Sequence, residues 1–211
     1  VVEIIGEALD SEVCSIYLKR QDGSLELWIP NQAPEMFQAA AARIAGIAPE
    51  KVIIHSPMLG GFFGRHFLYH TANPFPQAIL LAKAAGRPVK LIWSREEEFL
   101  RDTLRPMSVA RFRAGLDADG MPVALHAVAV GEGPTGRWFG RKADQADSSA
   151  VEGIAGKMYA IANRRVAQVH VDDPAIIGFW RSVGHSMNDF FYETFFDEMA
   201  DAGQQDPYEL R

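Results

Sequence analysis

Two loops in the chain hold the residues best suited to binding a ligand. The glycine loop, LGGFFGR at residues 59–65, directly follows the apolar run 52–55, and its three glycines let backbone amides approach a bound group closely. The Trp180 loop, GFWRSVGHS at residues 178–186, offers an arginine, hydroxyl groups and glycines just before an aromatic segment of helical spacing. Exposed amides at a helix start bind anions. We therefore expect the two loops to lie together and to line one cleft.

Each loop also has a simpler interpretation. The glycines could serve only a turn, and Phe62 and Phe63 could pack beneath it. In the second loop, Trp180 could anchor the core, and Ser182 or Ser186 could cap the following helix. The spacing of the glycine loop is neither GxGxxG nor that of a Walker loop, which argues against a nucleotide-binding fold of either type.

Other candidate chemistry is weaker, and no residue is assigned a catalytic role. Glu193 and Asp197, with Glu198, could form paired carboxylates for acid–base catalysis, but such residues on an amphipathic helix usually form a solvated face. The six histidines show no HxH or HExxH spacing, so we expect no metal site built from side chains. The single cysteine, Cys14, excludes an internal disulfide and a cysteine-only iron–sulfur site. Any redox metal must therefore come with a cofactor or a partner.

Composition narrows the possible partners. The chain has 211 residues, 48% of them apolar, which is enough for a substantial core. Its formal net charge of -6 gives no basic patch for a phosphate backbone, so we expect no nucleic-acid partner. The apolar runs fall far short of the roughly 20 residues that cross a bilayer, so we expect no membrane span.

Hydrophobic periodicity and turn residues predict an α+β fold with mixed, largely antiparallel sheets and packed helices. The predicted strands cover 13–19, 25–29, 52–55, 89–93, 108–116, 123–130 and 166–171, and the predicted helices cover 34–47, 76–85, a short segment capped by Ser94, 151–159 and 190–202. The last helix has Phe191, Phe195 and Met199 on one face. Glycines interrupt residues 131–150, which predicts a connection between two subregions. The first, 1–131, carries the glycine loop, and the second, 132–211, carries the Trp180 loop and the C-terminal helix.

The two loops and five further segments resemble one family in the same order. The glycine loop resembles LGGGFGRR, and the Trp180 loop contains WRSVGHS. The further segments are GSLELWIPNQ (23–32), GRPVKLIWSREE (86–97), DTLRPM (102–107), AGLDADGMP (114–122) and FFDEMA (195–200). Together they resemble the large subunits of the molybdenum hydroxylases, the xanthine dehydrogenase and aldehyde oxidase family, and most closely the isoquinoline 1-oxidoreductase β-subunit type.

This resemblance implies a molybdopterin-binding-domain-like fold and a molybdopterin-type molybdenum cofactor in the complete protein. It implies hydroxylation of N-heterocycles or oxidation of aldehydes, with water as the oxygen source. Electrons would pass to an iron–sulfur small subunit, and the remainder of the large subunit would complete the site. The residues that the resemblance places beside the cofactor are Gly60, Gly61, Phe63, Gly64, Arg65, Arg181, Ser182 and Gly184.

Three departures from the family pattern shape the expectations. Phe62 replaces the third glycine of the first loop, and we expect its ring to enter the cleft or to distort the loop. The family's HAxMEP segment corresponds to residues 6–11, which lack its histidine and glutamate. The family's general base, a glutamate, lies in a region beyond this chain. We therefore expect a fragment that is inactive and free of molybdenum by itself. The alternatives are a non-catalytic module that binds a small molecule or partner, and a purely structural domain.

Overall fold

The structure is a computed structural model that describes residues 14–19, 22–58, 67 and 73–211. The chain divides into two compact units, Val1–Thr103 and Leu104–Arg211. This division precedes the hairpin that the sequence-based boundary after Gly131 assigned to the first subregion. The hairpin belongs to the second unit because its second strand pairs with a strand beyond the glycine-rich connection. No helix in the described parts of the chain is long and apolar enough to span a membrane.

The first unit is a four-stranded sheet with helices. Its elements are β1 (Cys14–Lys19), β2 (Leu25–Trp28), α1 (Pro34–Ala45), a 3-10 turn (Pro49–Lys51), β3 (Val52–His55), α2 (Phe75–Ala85), β4 (Val89–Ile92) and α3 (Arg95–Arg101). The strand order is β3-β2-β1-β4. β1 is antiparallel to β2 and β4, whereas β2 and β3 are parallel. The predicted order of elements is confirmed.

Local signals explain how the helices of the first unit begin and end. Helices α1 and α2 end at Gly46 and Gly86, both in the left-handed conformation that glycine adopts without strain. Ser94 caps α3, since its side chain accepts a hydrogen bond from the Glu97 amide. Small residues on α1 let the helix lie close to the sheet, and Phe37 packs on Phe75 with ring centroids 5.1 Å apart. These contacts form the core of the first unit.

The second unit is a three-stranded sheet with four helices. Its elements are β5 (Ser108–Leu116), β6 (Pro122–Gly131), α4 (Pro134–Phe139), α5 (Ser148–Val151), β7 (Asn163–Val169), α6 (His185–Ala202) and α7 (Pro207–Leu210). β5 and β6 form the predicted antiparallel hairpin, and β6 and β7 are parallel. Both sheets are therefore mixed, as predicted. The glycine-rich connection is a crossover within this unit, and it carries the short helices α4 and α5 where the sequence predicted irregular structure.

Helix α6 begins five residues earlier than predicted and buries a different face. Its buried aromatic residues are Tyr192 and Phe196, with Met199 one turn further. The prediction placed Phe191 and Phe195 on the core side, and it was wrong by one residue. The error arises because aromatic residues occupy both faces. Phe195 instead stacks on Phe112 of β5, with ring centroids 5.2 Å apart.

Candidate functional site

The glycine loop lies outside the described residues, so its expected role stays a prediction. This applies to the orientation of Phe62, to the shared cleft, and to the predicted cofactor contacts of Gly60, Gly61, Phe63, Gly64 and Arg65. Strand β3, which leads toward this loop, ends at His55. The His55 ring stacks on Trp28 and lies 2.7 Å, Nε2 to Oε1, from Glu26. His55 therefore has a packing role within the first sheet.

The Trp180 loop starts from a firmly held segment of the second unit. The Leu104 amide donates to the Ile176 carbonyl at 2.8 Å, and the Gly178 amide donates to the Leu104 carbonyl at 3.0 Å. The indole of Trp138 donates to the carbonyl of Ile177 at 2.9 Å, and Ile177 is fully buried. The chain therefore enters the loop with a fixed position and direction.

The backbone of the loop is strained at two consecutive residues. Ser182 has φ 65° and Val183 has φ 44°, a left-handed conformation that β-branched residues strongly disfavour. Such a residue costs on the order of 1–3 kcal/mol and persists only where its surroundings hold it. Two short hydrogen bonds close the turn, from the Val183 amide to the Trp180 carbonyl at 2.7 Å and from the His185 amide to the Ser182 carbonyl at 2.9 Å.

Arg105 holds this turn from outside the loop. Its Nη1 donates to the Val183 carbonyl at 3.0 Å, and its Nη2 donates to the Arg181 carbonyl at 3.1 Å. Burial lowers the pKa of the Arg105 guanidinium, although arginine stays protonated in proteins. Sequence reasoning assigned no role to Arg105, because nothing in a local pattern connects residues 76 and 78 positions apart.

The loop's two serines do not cap helix α6, so the N-cap interpretation is wrong. The N-cap residue is Gly184, and no side chain caps the helix there. The Ser182 hydroxyl instead donates to the Arg181 carbonyl at 2.6 Å and contacts the Ser186 hydroxyl. Ser186 also donates to the Arg181 carbonyl, at 3.3 Å. Both hydroxyls therefore fix the loop's own backbone.

Gly184 is required by packing between α6 and α5. A Cβ at this position would lie 2.4 Å from the carbonyl oxygen of Ser149, a backbone atom. The Gly184 amide donates to Glu152 Oε2 at 3.0 Å. One turn along, Asn188 Nδ2 donates to the Ala150 carbonyl at 2.9 Å. The start of α6 is thus locked against α5, and the Gly184 amide is already used.

The groups that remain available on the loop are all hydrogen-bond donors. Within the described chain, the backbone amides of Arg181, Ser182 and Ser186 have no acceptor. These three residues are exposed, and the Arg181 guanidinium forms no ion pair with a described residue. Backbone amides near a helix start together with an arginine favour an anionic group. The structure therefore brings Arg181 and Ser182 into a surface suited to an anion.

The predicted acid–base carboxylates form a structural ion-pair network instead. Glu193 accepts hydrogen bonds from Lys157 at 2.9 Å, from the Tyr159 hydroxyl at 2.9 Å and from Arg211 at 3.0 Å. Burial alone would raise the Glu193 pKa, but these hydrogen bonds outweigh it and the pKa is lowered. Asp197 pairs with the same Arg211 at 2.7 Å. A carboxylate held ionised by three donors is a poor proton shuttle.

One further group of side chains has atoms near enough to share a metal ion. Donor atoms of Glu132, His170 and Asp172 lie within 4.8 Å of one another. However, Glu132 already accepts from Arg137 Nε at 2.6 Å and from the Asp173 amide at 2.9 Å. Because a guanidinium already neutralises this carboxylate, we assign no metal to the group.

Comparison with known proteins identifies the family. The molybdopterin cofactor-binding domain family matches residues 5–211. The chain is 29% identical over 193 residues to isoquinoline 1-oxidoreductase subunit beta of Brevundimonas diminuta, a match that covers 90% of this chain and 24% of that protein. It is 32% identical over 199 residues to a probable xanthine dehydrogenase of Bacillus subtilis, a match that covers 93% of this chain and 26% of that protein. It thus spans about a quarter of the length of these relatives.

Solved structures share the fold. The crystal structure of quinoline 2-oxidoreductase from Pseudomonas putida 86 matches with a TM-score of 0.73 at 23% identity, covering 95% of this chain and 25% of that one. The aldehyde oxidoreductase of Desulfovibrio gigas matches with a TM-score of 0.71 at 19% identity, covering 93% of this chain and 21% of that one.

These findings confirm the resemblance drawn from the two loops and the five further segments. They also confirm the predicted fold class and the cofactor class expected of the complete protein. The chain is a member of the molybdopterin cofactor-binding domain family.

Proposed function

We propose that the chain is part of a molybdopterin-dependent oxidoreductase that hydroxylates N-heterocycles or oxidises aldehydes. Its relatives are named for isoquinoline, xanthine and aldehyde oxidoreduction. The observation that carries the proposal is the donor-only surface of the Trp180 loop in a chain of this family. A loop with its carbonyls engaged and its amides available suits an anionic cofactor.

The proposed ligands on this loop are Arg181 and Ser182. The exposed guanidinium of Arg181 can bind an anionic group of the cofactor with two parallel hydrogen bonds. The Ser182 amide has no acceptor in the described chain and would donate to the same cofactor. Gly184 would act differently, since its amide is already bonded to Glu152. We propose that Gly184 supports the loop through close packing.

The glycine loop would supply the second set of contacts. By resemblance, Gly60, Gly61, Phe63 and Gly64 would approach the cofactor with their backbone, and Arg65 would lie beside it. When bound, the molybdenum centre supplies the redox chemistry, while the chain binds and orients it. The proposed partners are the rest of the large subunit and an iron–sulfur small subunit. An iron–sulfur cluster must lie elsewhere, because the chain has one cysteine.

The test is the molybdenum and pterin content of the complete protein, purified with its partner subunits, after Arg181→Ala. We expect cofactor content to fall severalfold, and Arg181→Lys to restore part of it, since lysine keeps the charge but loses the planar fork. Arg165→Ala removes another exposed arginine from the second unit and is the matched control. Full cofactor content in the Arg181→Ala protein would refute the proposed site.

A non-catalytic binding module is the alternative, and Phe62 favours it. A ring where the family has glycine would occupy space beside the cofactor. Elemental analysis separates the two functions. The complete protein purified from its native source would contain stoichiometric molybdenum if it is an oxidoreductase, and none if it is a binding module.

A further inference from the structure

We infer that Arg105 is a positioning residue of the cofactor site: it holds two carbonyls of the Trp180 loop and thereby aims the loop's free amide at the cofactor. This inference rests on the proposed function. Arg105 itself bonds to backbone within the second unit, so it acts through the loop.

The geometry places the clamp at the strained part of the turn. Nη1 and Nη2 of Arg105 reach the carbonyls of Val183 and Arg181 at 3.0 and 3.1 Å. These carbonyls flank Ser182, and both Ser182 and Val183 have positive φ. The planar guanidinium fork can bind two neighbouring acceptors at once, which an ammonium group on a flexible stem does less well.

Peptide planarity converts the position of each carbonyl into the direction of an amide. The Arg181 carbonyl and the Ser182 amide belong to one trans peptide, so they point in opposite directions. When Arg105 binds that carbonyl, the Ser182 amide must point away from Arg105. This amide has no acceptor in the described chain, and it is one of the proposed cofactor donors.

The next peptide unit but one is held at both ends. Its carbonyl, from Val183, accepts from Arg105, and its amide, from Gly184, donates to Glu152. This peptide therefore cannot rotate without breaking a charge-assisted hydrogen bond on either side. It fixes the turn against the helix, while the Arg181–Ser182 peptide stays free on its amide side.

The clamp itself has a fixed base. Leu104, the residue before Arg105, pairs with the chain on both sides of Ile177 through its amide and its carbonyl. The segment that leads into the loop and the side chain that holds the loop thus share one backbone anchor. The position of the loop therefore depends on residue 105 and on little that is local in sequence.

The experiment compares Arg105→Ala and Arg105→Lys in the complete protein purified with its partner subunits. Hydrogen–deuterium exchange of a peptide across residues 180–187 reports the turn directly, because the Val183 and His185 amides are bonded within it. We expect exchange there to rise about tenfold in Arg105→Ala, with a smaller rise in Arg105→Lys. Exchange in α6 beyond Phe190 should not change. Molybdenum and pterin content should fall in the same order.

Arg211→Ala is the matched control, because Arg211 also binds carboxylates and a carbonyl in this unit but lies away from the loop in its contacts. Unchanged exchange across 180–187 in Arg105→Ala, or unchanged cofactor content, would overturn the inference. So would equal cofactor loss in Arg211→Ala. If Arg181→Ala loses the cofactor and Arg105→Ala keeps it, the positioning role fails and the proposed function stands. If Arg181→Ala keeps the cofactor, the proposed function itself fails.

Discussion

Gly184→Ala should destabilise the second unit, because the position has no room for a methyl group. The new Cβ would lie 2.4 Å from the Ser149 carbonyl oxygen and 3.0 Å from both Cβ and the carbonyl oxygen of Glu152. Two of these atoms belong to backbone, so relief requires α5 and α6 to move apart. Overpacking of this kind costs about 1–3 kcal/mol. The movement would also lengthen the hydrogen bond from the Gly184 amide to Glu152.

Urea and thermal unfolding of the chain measure this cost. For a domain of about 100 residues, each kcal/mol lowers the melting temperature by about 4–8 °C, so we expect a decrease of about 4 °C or more. Gly115→Ala is the control, since its Cβ would meet only Ala124 Cβ at 3.7 Å. A Gly184→Ala chain as stable as the control would refute the packing argument. It would also leave the backbone of the Trp180 loop as the reason for a glycine there.

Two further predictions concern the ion-pair network and the glycine loop. Glu193→Gln should lower stability at neutral pH and flatten its loss in acid. The folded pKa of Glu193 lies below its ordinary value of 4.5, so its contribution is complete above pH 4.5 and disappears as the pH falls through the lower folded pKa; urea unfolding between pH 3 and 7 measures this, and parallel curves for variant and wild type would contradict it. Phe62→Gly in the complete protein should raise molybdenum per protein, because it restores the glycine that the family places beside its cofactor. Equal or lower occupancy would show that the ring is tolerated.

The parts of the fold that follow from local chemistry could be predicted. Glycines that end a helix in the left-handed conformation mark Gly46 and Gly86, and the Asp-x-x-Gly turn marks the β5–β6 hairpin. In that turn the Gly120 amide donates to the Asp117 carbonyl at 3.1 Å. Each of these signals lies within a few residues of the feature that it determines. The sequence therefore reports helix ends and hairpins well.

Features that depend on distant parts of the chain could not be predicted in this way. The pairing of β7 with β6 decides that residues 132–162 form a crossover, and no local pattern encodes that pairing. The start of α6 is another case. Ser182 and Ser186 have the preferred side chains for an N-cap, yet Gly184 takes that position because only glycine fits against Ser149.

The Trp180 loop was found from its residue types, whereas its working parts come from elsewhere in the unit. Its carbonyls bind Arg105, its helix start binds Glu152, and its hydroxyls bind its own backbone. What remains outward are amides and one guanidinium. Because protein contacts hold the strained turn, the donors are fixed without help from a ligand. A cofactor that binds a preorganised site loses less affinity to the ordering of that site. This reasoning explains why a valine can occupy a left-handed position here: the surrounding hydrogen bonds offset its strain.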